Sequence, residues 1–516
     1  MKMLAGPEET TRRGDLGVCH DKPLCSRLRF VPAAVVIALC ILGFAAFLDP
    51  TSGNAQSAAC GLTSPAFCDT FDQGPSPIRG RAGDLNPANW SVGRLAPSDF
   101  SRGGVVNPVA VAPIPPCRAS FPATSVYPPD DTLICDPSSS TTAQLMTAVA
   151  IQNYGNNSYM IRRPFDFANR TGKITFDVDA FAKLLGTYIA VDLTEDPIPA
   201  PTFIEVQNFE PGPVPRNGLM IKLLNTCDPN VGPSNIMVYS NYSPTTLIPT
   251  FQNGCANIRQ GFLNHFEIRI SRTSLEIYGS DYSTDGGRTF PNYRRLYAAA
   301  LDLPFTRGYV HMAARNHASA KYGFGPAGVY HWDNIGFDGP VISNSRAYEI
   351  PDNSTLGTYE NQAIMNLGYV LLDGTTGRPA GIYDPTNSVG PLRFQGVNVD
   401  GAVAARLSLN AFLNTGSHTA TMTWGWTFRF NGLTWRNRFL TGTEVQAINT
   451  VGSAGNLSLL MDVPVSDLRA GLNTLEMLPL NAPMDYPPAV ANIDLILELA
   501  ASGSSPTSPT NLRIIP

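Results

Sequence analysis

The sequence has little charge and very little lysine. Asp, Glu, Lys and Arg make up 15% of its 516 residues, against roughly 25% in an ordinary soluble domain. Only six of its 36 basic residues are Lys, and 41 acidic residues bring the net charge to −5 at pH 7. A protein that binds nucleic acid through the phosphates needs a basic surface. The composition therefore excludes a strongly basic nucleic-acid binder and predicts no nucleic-acid partner.

Several signatures of structure and chemistry are also missing. No long stretch has the 3.6-residue period of an amphipathic helix, and no nucleophile elbow, zincin motif or phosphate-binding glycine loop occurs. No two cysteines are separated by two residues, which counts against a zinc site. The 43% hydrophobic residues can fill cores, and 45 Gly and 44 Pro supply turns. Low charge together with many turn residues favours an extracellular all-β protein over a helical or cytosolic α/β enzyme.

The N-terminal segment predicts export. Residues 1–29 form a polar n-region with six positive charges, predicted to be cytoplasmic, and residues 30–48 are a run of 19 uncharged residues that is just long enough to cross a bilayer. The run is either an uncleaved transmembrane signal anchor or a signal peptide, because small residues in the linker 49–59 fit a cleavage site. A lipid-modified Cys60 is a third alternative. Each alternative places the rest of the chain outside the cell, either secreted or on the cell surface.

Six cysteines follow the apolar run, and an even number in an oxidising compartment predicts disulfides. Six cysteines allow 15 pairings. We favour nearest-neighbour pairing because each bond then closes a single loop. The predicted pairs are Cys60–Cys68, Cys117–Cys135 and Cys227–Cys255.

The exported part is predicted to be two β-sandwiches and a tail. Short runs of alternating apolar and polar residues, bounded by Gly, Pro, Asn and Asp, fill residues 60–340 and indicate one large sandwich. Similar runs over residues 341–499 indicate a second, smaller sandwich. Residues 500–516 are rich in Ser, Thr and Pro and are predicted to be disordered.

Two short segments carry specific structural predictions. Residues 283–290 have the form S-x-D-x-G-x-T-aromatic, which resembles the Asp-box of sialidase propellers. A single copy predicts a hairpin turn and no propeller, with Ser283 and Asp285 bonding the loop backbone and Phe290 packing beneath it. The second segment places Trp424, Trp426, Phe428 and Phe430 on one strand face, and four such aromatics in a row predict a core.

Two motifs at opposite ends of the first region resemble a known superfamily. Phe-Cys-Asp-Thr-Phe-Asp at 67–72 and His-Trp-Asp-Asn-Ile-Gly-Phe at 331–337 resemble concanavalin A-like lectins and glucanases. The resemblance implies a jelly roll over residues 60–340 whose first and last strands lie side by side. Residues 471–476 and 491–495 make the second region similar to galactose-binding or carbohydrate-binding sandwiches.

The resemblance implies three alternative functions. The preferred one is non-catalytic, lectin-like binding of a polysaccharide or cell-surface glycan. A structural or adhesive surface protein without a sugar ligand is the second, and a glycoside hydrolase of the laminarinase type is the third. Such hydrolases carry the motif E-x-D-x-x-E, which is absent here. Asp177 and Asp179 are the nearest catalytic candidates, and a solvated strand face is the alternative interpretation of that pair.

A sugar site is predicted on the last strand of the first sandwich. Sugar rings stack their C–H faces on aromatic planes, while amides bond the hydroxyls. Strict alternation places Tyr330, Trp332 and Asn334 on one strand face. The alternative is that the two aromatic rings pack between the sheets.

The same strand carries candidate metal ligands. In the resembling glycosidases and pentraxin-like modules a calcium ion joins the initial loop to the last strand, and Asp72 and Asp333 are the corresponding oxygen ligands here. His311, His317 and His331 also cluster within 21 residues. Their spacing matches no metal motif, so a buried histidine bonded to a carboxylate is the expected outcome.

Overall fold

The computed structural model describes a little over half of the chain. Several predictions fall outside that part: the apolar segment 30–48, Asp179, His317, the last four of the six cysteines, residues 501–516 and the side chain of Tyr330. The described residues are 59–72, 85–95, 110–113, 143–148, 156–178, 187–199, 218–223, 236–240, 247–248, 256–258, 262–285, 287, 289–316, 329–342, 345–350, 370–372, 379–380, 391–413, 419–451, 455–481 and 489–500.

The described residues are almost entirely β-structure, which confirms the all-β prediction. The strands, numbered in chain order, are β1 Pro65–Asp69, β2 Trp90–Leu95, β3 Ala110–Pro113, β4 Ala143–Ala148, β5 Asn156–Ile161, β6 Phe165–Asp166, β7 Gly172–Val178, β8 Thr187–Thr194, β9 Gly218–Leu223, β10 Ile236–Ser240, β11 Leu247–Ile248, β12 Asn264–Ile270, β13 Ser274–Gly279, β14 Arg294–Ala300, β15 Arg307–Asn316, β16 Val329–Asp338, β17 Ser345–Glu349, β18 Val370–Leu372, β19 Pro379–Ala380, β20 Leu392–Val397, β21 Ala402–Leu413, β22 Gly425–Phe430, β23 Arg436–Phe439, β24 Gly455–Val463, β25 Gly471–Leu480 and β26 Ala489–Leu499. Single 3₁₀ turns occur at Ala59–Gly61 and Val465–Asp467, and one α-helix, α1, spans Gly442–Val451. No helix among the described residues is both long and apolar enough to cross a bilayer.

The first sandwich consists of two antiparallel sheets around one core. Sheet A has the order β14-β13-β12-β7-β16-β4-β3, with β1 also paired to β16. Sheet B has the order β11-β10-β9-β8-β15-β5-β2, with β6 also paired to β15. Apolar side chains alternate inward from both sheets, as Ile174 and Phe176 do from β7 and Ile189 and Val191 do from β8. Burying both inner faces in this way accounts for the predicted alternation.

The first and last strands of this sandwich pair with each other, as the resemblance implied. In the β1–β16 ladder, Phe67 lies opposite Phe337 and Asp69 lies opposite Ile335. The rings of Phe67 and Phe337 stack with centroids 5.7 Å apart. The predicted disulfide Cys60–Cys68 is present beside this ladder. Because the thiol of Cys60 is used in that bond, a lipid-modified Cys60 is excluded in this structure.

A β-bulge interrupts the regular alternation of β16. The register against β7 shifts between Asp333 and Gly336, and Asn334 has φ +49°. A bulge adds one residue to a strand and so resets which face the following side chains occupy. Ile335 and Phe337 consequently enter the core on the same side as Trp332. The prediction that Trp332 and Asn334 share a face is therefore wrong, because it assumed a strict period of two.

The second sandwich has its own sheets and its own core. Sheet C has the order β19-β18-β26-β21-β24, with β17 also on β26, and sheet D has the order β20-β25-β22-β23. The predicted aromatic core is confirmed: Trp424, Trp426, Phe428 and Phe430 are all at most 7% exposed and belong to one cluster. Gly425 lies between them, and a Cβ there would come within 2.0 Å of the Arg438 carbonyl oxygen. The backbones of β22 and β23 thus approach closely at this point, and the strand that carries the four aromatics needs glycine at position 425.

Helix α1 is an element that the sequence analysis did not predict. Thr441 precedes it as N-cap, and its backbone N–H donates to Glu444 Oε2 at 2.7 Å. The Glu444 N–H donates in return to Thr441 Oγ1 at 3.3 Å. These reciprocal bonds form a capping box, whose sequence signature, Thr-x-x-Glu, is visible at residues 441–444. The signal was present, but a search for long helical periods misses a ten-residue helix.

The two sandwiches contact each other through buried polar groups. Ser91 on β2 donates from Oγ to Asp494 Oδ2 on β26 at 2.6 Å, and Arg162 lies 3.2 Å from the same oxygen. Ser408 on β21 donates to the Pro197 carbonyl oxygen at 2.8 Å. Sheets B and C therefore meet through specific bonds. The boundary at residues 340 and 341 stays a prediction.

Candidate functional site

Two predicted site residues, Asp177 and Asp333, come together on the outer face of sheet A. They lie directly opposite each other on β7 and β16, although they were predicted for two separate roles. Asp177 is 2% exposed and Asp333 is 7% exposed. The structure thus places two nearly buried carboxyl groups side by side.

Asp177 is held by two neighbouring side chains. His265 on β12 donates from Nδ1 to Asp177 Oδ1 at 2.7 Å. Asn334, at the bulge, donates from Nδ2 to Asp177 Oδ2 at 2.7 Å. Each carboxylate oxygen therefore accepts a hydrogen bond already. The sequence analysis missed His265, because nothing in the spacing of a single histidine on β12 indicates a carboxylate on a strand 88 residues away.

The pKa of the Asp333 carboxyl is raised to about 8. Burial is the main cause, and the negative charge of Asp177 is the next, with Asp72 and Asp69 adding to it. The hydrogen bond that the Asn334 backbone N–H donates to Asp333 Oδ1 acts in the opposite direction but is outweighed. Burial and like charge both disfavour ionisation. Asp333 is therefore largely protonated at pH 7.

The calcium site predicted at Asp72 and Asp333 stays a prediction. A calcium site needs several converging oxygen ligands, with ionised carboxylates among them. Asp333 is buried on β16, and Asp72 lies exposed on a turn. In the described part of the chain, no three His, Cys, Asp or Glu side chains converge to hold a metal ion. The pairing of β1 with β16 thus occurs without a recognisable calcium ligand set in the described residues.

The predicted stacking residue Trp332 lies in the core. Its side chain is 0% exposed and its ring packs 5.8 Å from that of Phe176 on β7. A sugar needs an exposed ring face for stacking, so the ring of Trp332 offers none in this structure. This position matches the alternative interpretation, in which the aromatic side chain packs between the sheets.

The two described members of the histidine cluster lie on different sheets. His311 is on β15 of sheet B and His331 is on β16 of sheet A, and both are 0% exposed. His311 is hydrogen-bonded to Ser158 Oγ at 3.0 Å and to Thr194 Oγ1 at 2.9 Å. His311 and His331 are close in sequence but do not form a shared site. A hydrogen bond between a histidine and a carboxylate is formed by His265, which donates to Asp177.

The Asp-box segment forms the predicted hairpin turn between β13 and β14. The Gly287 N–H donates to Ser283 Oγ at 2.8 Å, and the Thr289 N–H donates to Asp285 Oδ1 at 2.9 Å. Gly287 has φ +84°, a conformation that favours glycine. Phe290, at the end of the turn, packs against His265 with ring centroids 5.4 Å apart. Through Phe290, the turn thus contacts the histidine that donates to Asp177.

Beside this turn, four rings form a group that we call the aromatic row. Its members are Tyr278, Tyr293, His265 and Phe290. Tyr278 and Tyr293 stack with centroids 5.7 Å apart at 19°, and Tyr293 lies 5.9 Å from His265. Tyr293 is 42% exposed. An exposed ring that is packed on both sides has a fixed orientation, which makes the row a rigid aromatic surface.

Charged groups border the aromatic row. Burial raises the pKa of Glu267, but the hydrogen bond from Arg269 and the charges of Lys173 and Arg269 outweigh it, so the pKa is lowered. Burial, followed by the charge of Glu267, raises the pKa of Tyr293. Glu267 is thus ionised and Tyr293 protonated at neutral pH. Arg269 also stacks on Tyr278, with its guanidinium carbon 4.0 Å from the ring centroid.

Comparisons with known proteins give likenesses of structure only. No protein-family model and no curated protein matches the sequence. Similar solved structures include the VIP36 exoplasmic/lumenal domain in its Ca²⁺/Man3GlcNAc-bound form (12% identity, TM-score 0.26, 40% of this chain and 83% of that one). A Lotus tetragonolobus seed lectin has 11% identity and TM-score 0.26, over 37% and 86%. A beta-1,3-glucanase from Mycobacterium marinum has 12% identity and TM-score 0.25, over 53% and 98%. At these values the likeness itself assigns no function.

Proposed function

We propose that this protein is an exported or cell-surface carbohydrate-binding protein that acts without catalysis. Its ligand, a polysaccharide or a cell-surface glycan, lies on the aromatic row of sheet A. The observation that carries the proposal is the exposed ring of Tyr293, fixed between Tyr278 and His265 and bordered by the ionised Glu267.

The chemistry of the row suits a sugar. The apolar C–H groups of a sugar ring contact aromatic surface, while its hydroxyls need donors and acceptors close by. The phenol of Tyr293 stays protonated and donates to Glu267, so its oxygen can accept from a sugar hydroxyl. The carboxylate of Glu267 can accept, and Lys173, whose Nζ lies 3.4 Å from Glu267 Oε1, can donate. Rigid aromatic groups also cost little conformational entropy on binding.

Geometry favours binding over hydrolysis at the neighbouring carboxyl pair. A retaining glycosidase needs one carboxylate free to attack the sugar and one acid to protonate the leaving group. Asp333 has the raised pKa of an acid, but it is 7% exposed. Both oxygens of Asp177 accept hydrogen bonds, and the side chain is 2% exposed. We therefore assign the pair a positioning role, in which Asp177 orients His265 at the end of the aromatic row.

An extracellular compartment is part of the proposal. The Cys60–Cys68 disulfide supports it, because disulfides persist in oxidising compartments. Export would use residues 30–48, either as a membrane anchor or as a cleaved signal. The assignment of the second sandwich to the galactose-binding or carbohydrate-binding sandwiches is proposed on its sequence motifs alone.

Affinity electrophoresis of the exported chain through gels that contain different polysaccharides tests the proposal. We expect at least one polysaccharide to retard the protein and Tyr293→Ala to abolish the retardation. Tyr293→Phe keeps the ring and should retain most of it.

Phe439→Ala is the matched control, since Phe439 is an aromatic residue of the second sandwich with 47% exposure. It should leave the retardation unchanged. Full retardation of a folded Tyr293→Ala protein would contradict the aromatic row as the binding site. If the protein binds no sugar on a glycan array, that result would contradict carbohydrate binding and favour an adhesive role.

A further inference from the structure

A cleft of about 270 Å³ lies where the two sandwiches meet. Its wall from the first sandwich includes Arg162, Arg163 and Tyr309, and its wall from the second region includes Arg346 and Tyr348. Three arginines thus line one cavity, and no Asp or Glu is among the described residues that line it. The proposed carbohydrate site on sheet A involves none of these residues.

Arg162 is buried and keeps one donor without a hydrogen-bond acceptor. Its Nε donates to the Pro87 carbonyl oxygen at 2.7 Å, and its Nη1 donates to Asp494 Oδ2 at 3.2 Å. Its Nη2 is buried without a hydrogen bond and forms a long ion pair with Glu349 Oε2, at 3.7 Å. An unsatisfied buried donor is costly. An acceptor that enters the cleft would remove that cost.

The other two arginines are held in position by backbone carbonyl groups. Arg163 donates from Nη1 to the Ala66 carbonyl oxygen on β1. Arg346 donates from Nη1 to the carbonyl oxygens of Asn398 and Asp400, at 3.0 and 2.8 Å. Neither forms an ion pair with a described acid. Both guanidinium groups therefore keep their full charge and further N–H donors for a ligand.

The charge around the cleft is unbalanced. Two acids, Asp494 and Glu349, lie 3.2 and 3.7 Å from Arg162. These carboxylates offset the charge of Arg162, whereas Arg163 and Arg346 donate to backbone carbonyl oxygens. Arginine pairs with carboxylates through two parallel hydrogen bonds and is the usual partner of planar oxyanions. The cleft thus suits an anionic group.

The tyrosines on opposite walls favour a ring-bearing ligand over a bare ion. Tyr309 lies on β15, and Tyr348 on β17 is fixed by the Asn398 N–H, which donates to its hydroxyl at 2.8 Å. Aromatic side chains give apolar contact area as well as a hydroxyl. The volume is below the roughly 300–1,000 Å³ of a cleft for a drug-sized molecule. It therefore suits one small ring with an attached acid group.

We propose that this cleft binds an acidic sugar residue, with the carboxylate of a hexuronate between Arg162, Arg163 and Arg346. The choice of a sugar over other carboxylic acids rests on the proposed carbohydrate function. The site itself rests on the convergence of the three arginines. A glycan that carries uronic acid residues would then contact this protein at two separate places.

Calorimetric titration of the full chain with glucuronate tests the inference, with glucose, acetate and sulfate as comparison ligands. We expect glucuronate to bind and its affinity to fall as salt is added, because exposed charges are screened. Glucose lacks the carboxylate and acetate lacks the ring, so both should bind at least tenfold more weakly. Equal affinity for glucose would overturn the carboxylate assignment. Equal affinity for acetate or sulfate would overturn the sugar assignment.

Substitutions locate the site. Arg163→Gln and Arg346→Gln should each weaken glucuronate binding about tenfold, since one charge-assisted hydrogen bond is worth that much. Arg436→Gln, an exposed arginine that pairs with Asp467 in the second sandwich, is the matched control and should change nothing. Unchanged binding in both cleft variants would overturn the site.

The failure of one proposal can be distinguished from the failure of the other. Tyr293→Ala should leave glucuronate titration unchanged, because Tyr293 does not line the cleft. Loss of glucuronate binding in Tyr293→Ala would overturn the cleft as a separate site. Polysaccharide retardation without glucuronate binding would uphold the aromatic row and reject the cleft.

Discussion

The two sandwiches bury different kinds of polar groups. The described part of the first sandwich buries carboxyl groups, with Asp177, Glu267 and Asp333 at 2–8% exposure. Apart from Ser408, the described residues of the second sandwich bury amides such as Asn473, together with a single acid, Asp494. That acid bonds Ser91 and Arg162 of the first sandwich. Within the described residues, the second sandwich thus buries a carboxylate only where it meets its neighbour.

The amides of the second sandwich satisfy each other at every pH. Asn473 donates from Nδ2 to the Arg469 carbonyl oxygen at 2.7 Å and accepts at Oδ1 from Asn431 and from the Arg469 N–H. A satisfied neutral network stabilises a fold without dependence on protonation. Buried carboxyl groups are costly unless they are paired or neutral. The adjacent pair Asp177 and Asp333 on sheet A therefore indicates where the fold serves more than stability.

The largest expected effect comes from removing a core aromatic in either sandwich. Trp332→Ala and Trp426→Ala should each cost about 4 kcal/mol of unfolding free energy, because each deletes a fully buried indole and leaves a cavity. If residues 60–340 and 341–499 are separate domains, each substitution should lower the melting temperature of its own transition in differential scanning calorimetry.

Equal shifts of one common transition by both tryptophan substitutions would contradict two independent domains. That result would instead indicate that the hydrogen bonds of Asp494 and Ser408 couple the unfolding of the two sandwiches.

A smaller effect is the pH dependence of the unfolding free energy, which should differ between the two sandwiches. The pKa of Asp333 is about 8 in the fold and near 3.8 in the unfolded chain, so the folded state binds more protons between these values. Stability should then fall as pH rises from about 4 to 8. Asp333→Asn removes this slope and should raise the unfolding free energy at pH 8 by a few kcal/mol. The upper limit is about 6 kcal/mol, because the pKa rises from 3.8 to about 8 and each pKa unit corresponds to about 1.4 kcal/mol.

Urea denaturation of both proteins at several pH values measures this slope. Asp302→Asn, at an exposed carboxyl group of the same sandwich, is the control and should change little. A wild-type stability that does not fall between pH 5 and 8, relative to Asp333→Asn, would contradict the raised pKa.

The smallest effect concerns the second sandwich alone. Thr441→Ala removes one side of the capping box of α1 and should cost about 1 kcal/mol at any pH from 6 to 9. Thr443→Ala, an exposed threonine of the same helical turn, is the matched control. Equal losses in both variants by urea denaturation would show that the cap is not the cause.

Local patterns in the amino-acid sequence were sufficient to predict the fold class and several local structures. Alternating apolar residues predicted the strands because burial of one face repeats every two residues. The Asp-box predicted the turn at Gly287, and the neighbouring cysteines predicted Cys60–Cys68, because both depend on residues close in the chain. Four aromatics on one strand face predicted the core around Trp426 for the same reason.

The candidate site depends instead on contacts between distant segments. Asp177 and Asp333 are 156 positions apart, and their pairing depends on which strands become neighbours in sheet A. The bulge at Asn334 places Ile335 on the core side with Trp332 and directs Asn334 onto Asp177, which a strict two-residue period does not predict. The cleft arginines likewise meet only because sheets B and C pack together. Such contacts follow from strand order and register, and these are set by the packing of the whole sandwich.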